Sequence, residues 1–112
     1  MKTLTLTIAE PWFSMIRDGK KKEEYREIKD YYLSRLFDGW DKLKAGSFYW
    51  YNGEFEKHPQ FKCFDLLVLR NGYRADSQKI TLKNPKIRIG TGRPEWGAEP
   101  GKLYFVISWD KE

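Results

Sequence analysis

The chain has one cysteine, Cys63, and one histidine, His58. A single thiol cannot close an internal disulfide, and one Cys with one His cannot build a zinc cluster, so no metal is expected. No neighbouring charge activates Cys63, which is expected to be a buried apolar residue. His58, beside Pro59, reads as a loop residue. No stretch approaches the roughly 18 apolar residues of a membrane span. Lys2 is followed by alternating Thr and Leu rather than by the continuous apolar segment of a secretory signal. The expectation is a cytoplasmic protein without a membrane partner. The glycines form neither a Gly-Lys-Ser/Thr P-loop nor a dinucleotide fingerprint, and no cofactor is implied.

What is present is ample for one globular domain, residues 1–112, with 40% hydrophobic residues. Aromatic residues are abundant, with five Trp, seven Tyr and seven Phe. Such rings enlarge a small core, and in a groove they stack on bases. The formal charge of +5 and a pI near 9.3 suit a polyanionic partner. Because 16 acidic residues accompany 21 basic ones, any basic surface has to be assembled by folding.

Residues 2–8 alternate, Leu4, Leu6 and Ile8 against Thr3, Thr5 and Thr7, as a half-buried strand does. Pro11 suits the first turn of a short helix with Trp12, Met15 and Ile16 as its apolar stripe, ended by Asp18-Gly19. Asp30 is a candidate N-cap for a second helix burying Leu33, Leu36, Phe37 and Trp40. Further strands are expected at Ser47 to Tyr51, followed by the hairpin signal Asn52-Gly53, and at Phe61 to Arg70, followed by Asn71-Gly72. Ile80 with Leu82 and Ile87 with Ile89 alternate on either side of Asn84-Pro85. The final strand sets Leu103, Phe105, Ile107 and Trp109 against Tyr104, Val106 and Ser108. A Gly/Pro-rich loop over 90–101 carries Arg93 and Trp96. Six or seven strands and two small helices point to a strongly bent sheet or small barrel.

Between the two helices lies the densest charge, eight ionic side chains from Asp18 to Ile28. Gly19, Lys21, Glu24 and Arg26 follow G-x-K-x-x-E-x-R. Lysine supplies a movable point charge, arginine a planar fork, and glutamate an acceptor for an exocyclic amine, a set that suits a nucleotide. The alternative is a solvated, mutually paired surface cluster. Periodicity favours helix from Lys20 to Arg35. A strand there carries charge on both faces, which requires a polar cleft on one of them.

With these elements in this order, the chain resembles an ASCH domain of the PUA-like superfamily over essentially its whole length. The run from Gly97 to Ile107 resembles the ending of small ASCH proteins. The resemblance implies a fold that is mainly β with two short helices, a PUA-like small β-barrel. It also implies that the charged run enters the sheet as a strand beside a cleft that contacts RNA or a nucleotide. Lys21, Glu24 and Arg26 become binding candidates, with Gly19 setting the helix-to-strand turn and Trp12, Tyr25, Arg93 and Trp96 as candidate stacking or contact residues. On a regular strand Lys21 is out of phase with Glu24 and Arg26, so it sits either at a bent start or beyond a bulge. Some ASCH-like proteins are amidohydrolases acting on 4-acetylcytidine, but Glu24 stands where their threonine nucleophile would be and has no hydroxyl to offer. Lys21 and Glu24 remain catalytic candidates for a hydrolase of RNA or a modified nucleoside, the runner-up to nucleic-acid or nucleotide binding. A protein-interaction domain is the third reading. Oligomeric state is left open.

Overall fold

The computed structural model describes residues 1–36 and 61–110. The alternating N-terminal segment forms β1 (Thr3–Thr7), which buries Leu4 and Leu6. Strand β1 pairs in parallel with β3 (Leu66–Arg70), and β3 pairs antiparallel with β4 (Lys79–Lys83). A second three-stranded sheet runs β2 (Glu23–Glu27), β6 (Leu103–Ser108), β5 (Lys86–Thr91), antiparallel throughout. Helices α1 (Trp12–Arg17) and α2 (Asp30–Leu36) flank β2 in the chain. The described fold is therefore mainly β, with two short helices.

The two sheets face each other across one core. Leu4, Leu6, Leu67 and Leu69 come from one sheet, Phe105 and Ile107 from the other, and Phe13, Ile16, Leu33 and Leu36 from the helices. Strand β6 is buried on both faces, because Tyr104 and Val106 join Ala98 and Tyr25 in a second, smaller cluster. Such a central strand loses the polar alternation of a half-buried one. The chain crosses between sheets at Asn84-Pro85, where Asn84 takes a positive φ of 51°. Among the described residues no strand pairing joins the two sheets, so no closed barrel is formed by them.

Several expectations are corrected. The charged run is a strand, as the resemblance implies, and not the helix that its periodicity alone favours. In α1 the buried residues are Phe13 and Ile16 rather than the expected stripe including Met15, and Pro11 precedes the first helical residue. Strand β3 starts at Leu66, since Phe61 to Asp65 has no strand partner beyond an isolated bridge at Phe61. Cys63 lies in that segment and is exposed, not buried. Leu103 is also exposed. The expectations for Phe37, Trp40, Ser47 to Tyr51, Asn52-Gly53 and His58 lie outside the described residues.

Candidate functional site

The site begins with how α1 ends. Gly19 has φ +76°, the left-handed conformation glycine tolerates without strain. Its N–H donates to Ile16 O and that of Lys20 to Met15 O, the paired bonds of a Schellman cap. Lys21 N also donates to Met15 O, so the cap holds Lys21 just before β2. The phase problem is thereby resolved: Lys21 lies on the bent approach, while Glu24 and Arg26 share one face of the strand.

Strand register then aims the charges. Glu24 lies opposite Ile107 and Arg26 opposite Phe105, both core residues of β6. The two ionic side chains thus point to the same face as the main core, at the open edge of β2. They are kept there by pairing. Lys21 Nζ is 3.1 Å from Glu24 Oε1, and Arg26 Nη2 is 2.8 Å from Glu24 Oε2. Arg26 also donates to Thr7 O at 2.8 Å and to the Tyr32 hydroxyl at 3.0 Å, tying β2 to β1 and α2. Lys21 donates to the Trp96 carbonyl and lies 4.8 Å from the Trp12 ring centre and 5.2 Å from that of Tyr25.

This is not the solvated surface cluster that is the bland alternative, since Lys21 is 2% and Glu24 6% exposed. Burial pulls the Lys21 ammonium below the usual lysine range, with Glu24 opposing and Arg26 reinforcing the shift. Burial also works to lower Arg26, but Glu24 and Tyr32 together outweigh it and leave its pKa raised. The Tyr25 hydroxyl is pushed up to about 12, chiefly by burial, and it donates to Glu23 while accepting from Arg93 N–H.

Above the ionic triad opens a cleft of about 370 Å³. Six of the eight residues singled out in the sequence line it: Trp12, Lys21, Glu24, Tyr25, Arg26 and Trp96. Gly19 and Arg93 do not. Gly19 acts through the turn, and Arg93 lies on Trp96, its guanidinium carbon 4.8 Å from the ring centre. The cleft has further walls that sequence reasoning missed, namely Thr7, Glu27, Glu99, Lys102 and Tyr104. Only the β2–β6 register, which sets Glu27 opposite Tyr104, brings the C-terminal residues to the motif. Lys102 and Glu27, 3.7 Å apart, sit at the more exposed rim.

The 92–101 loop is a fixed wall. Arg93 N–H donates to the Tyr25 hydroxyl and Glu99 N–H to the Tyr104 hydroxyl, so two tyrosines of the sheet anchor it at both ends. A Cβ on Gly92 would lie 2.6 Å from the Tyr25 ring, so the loop approaches closer than any other residue allows. No group of His, Cys, Asp and Glu suited to a metal occurs among the described residues, and no described helix is long and apolar enough to cross a membrane. Compared with protein-family models, with curated proteins and with solved structures, the chain matches none.

Proposed function

We propose that the cleft binds a nucleotide unit, free or within RNA, and that the chain is an ASCH-like module whose finer architecture is the PUA-like barrel. The observation that carries this reading is the convergence of Lys21, Glu24 and Arg26 beneath a cleft walled by Trp12, Tyr25, Trp96 and Tyr104. The ASCH-like assignment draws support from the charged run entering the sheet as an edge strand after the first helix.

The cleft's size falls near the lower end of the roughly 300–1,000 Å³ typical of ligand pockets, a scale for one base with its sugar rather than for a duplex. Aromatic walls offer stacking surfaces, and cations offer contacts to phosphate. The roles within the charged group differ. Lys21 is held by Glu24, the Trp96 carbonyl and two rings, so it lends charge and fixes the loop wall. Arg26, with its side chain 15% exposed, and Lys102, with 39%, are the cations able to touch a ligand.

Titration of mononucleotides and short RNA and DNA oligomers at low salt, followed by tryptophan fluorescence, tests the reading. Wild type should bind, and Lys102→Ala at the rim should weaken binding several-fold with an unchanged melting temperature. Arg26→Gln should weaken it more but also lower stability, because it removes a partner of buried Glu24. Absence of binding to all three ligand classes would end the proposal.

The hydrolase reading rests on the lowered pKa of Lys21, which brings a neutral amine nearer to physiological pH. Its weakness is Glu24, whose two oxygens both already accept from cations, leaving it poorly placed to take a proton. Turnover of RNA or 4-acetylcytidine by wild type, abolished in a folded Lys21→Met variant, would revive it.

A further inference from the structure

The excess positive charge of this chain is concentrated in one stretch of its sequence. Between Ser77 and Pro94 there are five basic residues, Lys79, Lys83, Lys86, Arg88 and Arg93, and no acidic one. The stretch alone carries +5, the formal charge of the whole chain, so everything else is balanced. It forms β4, the Asn84-Pro85 crossing, β5 and the start of the loop that walls the cleft.

Register sorts the side chains of this ribbon. Ile80 and Leu82, then Ile87 and Ile89, pack against the main core. Lys79, Thr81 and Lys83 of β4 and Lys86 and Arg88 of β5 are exposed, each set on the side of its own sheet away from that core. Outward positions in a strand recur about every 6.6 Å, twice the rise per residue. Arg88 is engaged by Glu23 at 3.2 Å. Lys79, Lys83 and Lys86 have no ion pair among the described residues. Asp110, beside the crossing, accepts instead from the Asn84 side-chain amide at 2.7 Å.

Both ends of the ribbon carry aromatic side chains. Before β4, in the turn closed by Asn71 N–H to Gln78 O, Tyr73 is 87% exposed. After β5, Arg93 stacks on Trp96, which lines the cleft. Unpaired cations spaced along an extended strand, with neutral hydrogen-bonding residues between them and rings at either end, match a phosphodiester strand. An anionic membrane is a poorer match, because Tyr73 is the one large apolar side chain exposed on the ribbon, too little to anchor an insertion.

We infer that the exposed side of β4 and β5 is a second binding surface, over which the phosphate backbone of a single-stranded nucleic acid bends around the Asn84-Pro85 crossing through Lys79, Lys83 and Lys86. It goes beyond the cleft, and separate variants read the two surfaces. The competing account is that lysines on the described edge strands β4 and β5 only discourage edge-to-edge association.

The test is the salt dependence of binding to single-stranded RNA and DNA oligomers. Threonine suits exposed strand positions, so the triple variant Lys79→Thr, Lys83→Thr, Lys86→Thr should fold. For single strands each neutralised phosphate contributes about 0.7 to the slope of log affinity against log salt. The triple variant should therefore lose roughly 2 from that slope and bind at least about tenfold more weakly at low salt. A charge-matched control with Lys2, Lys20 and Lys22 changed to Gln should keep the wild-type slope. Mononucleotide binding in the cleft should be unaltered in the triple variant, so failure of the cleft reading and failure of this one are separable. The inference is overturned if the triple variant keeps the wild-type slope, if it merely self-associates, if the control loses as much, or if wild type binds anionic vesicles but no oligomer. Equal loss for RNA and DNA would mark backbone recognition; a loss confined to one would name the strand.

Discussion

The two charged regions of this small domain handle ionic side chains in opposite ways. Around β2 the charges are buried and each is answered: Lys21 and Arg26 hold Glu24, and all three are fixed by further donors and acceptors. Along β4 and β5 the cations are exposed and three of them stand without an ion pair among the described residues. Burial makes the first group a structural commitment, since removing one partner strands a charge in a poorly solvated place. Exposure makes the second group nearly free to the fold and therefore available to a partner. The lesson is that the densest charge in a sequence need not be the charge that meets a ligand. In this chain the triad organises the cleft, while the charge the fold leaves unpaired lies elsewhere.

The sharpest way to break this contrast is at Glu24. Glu24→Ala leaves Lys21 and Arg26 facing each other with no anion between them, and it should cost about 3–5 kcal/mol, read from urea unfolding. Near-wild-type stability would mean that water solvates the triad and that the two regions differ less than their burial indicates. Lys21→Met should cost less. It keeps the aliphatic stem between Trp12 and Tyr25 and leaves Glu24 with Arg26, and it loses the ion pair to Glu24 and the hydrogen bond to the Trp96 carbonyl. A penalty of about 1–3 kcal/mol is expected, together with a change in tryptophan fluorescence as the loop wall loosens.

The loop wall itself offers the next test. Gly92→Ala drives a methyl into the Tyr25 ring and toward Ala98, so it should destabilise by about 1–3 kcal/mol. It should also disturb cleft binding while leaving the ribbon's salt slope intact.

Alkaline titration probes the same region with smaller effects. The Tyr25 hydroxyl is raised in the folded state from an ordinary value of 10 to about 12, so the folded protein binds its proton more tightly than the unfolded chain. The associated stability is present below pH 10 and is lost as pH rises through about 12. Lys21 has the opposite sign. Its pKa is lowered on folding, so its unfavourable contribution diminishes as pH climbs from the folded value toward the ordinary 10.5. In Tyr25→Phe the phenolate absorbance titration should lose its highest component, and the loss of stability above pH 10 should be shallower. An unchanged titration would place the perturbed phenol elsewhere.

The sequence reveals β1, β4 and β5 through strict alternation, since each has one face on the core. It misleads at β2, where charge falls on both faces and periodicity argues for helix. The physical reason is visible in the pairing. Inward Glu24 is neutralised by Lys21 and Arg26, while outward Glu23 meets Arg88 from β5 and Glu27 meets Lys102. A strand tolerates such charge when its partners arrive from distant parts of the chain, which no local pattern encodes. All eight cleft candidates lie close to the motif or in the conspicuous loop and six of them line the cleft, whereas Lys102 and Tyr104, which also line it, enter only through register. The absence of acidic residues from 77–94 is readable in the sequence, but its significance depends on knowing which alternate residues the fold turns outward.

The smallest expected effect sharpens the contrast most. Lys79, Lys83 and Lys86 each make no ion pair among the described residues, and substitutions at such surface sites usually stay within about 0.5 kcal/mol. Lys79 and Lys83, four residues apart on one strand, repel each other weakly through solvent over roughly 13 Å, comparable to the roughly 10 Å Debye length at 0.1 M salt. Changing all three to Thr should therefore leave the urea midpoint unchanged or raise it slightly, with any gain largest at low salt and vanishing as salt is added. A clear loss of stability would show that these lysines do structural work like that of Lys21, and the division between an organising triad and a free ribbon would collapse. A small, salt-sensitive gain accompanied by loss of oligomer binding would mean that the chain keeps these charges for a partner at slight expense to its own fold.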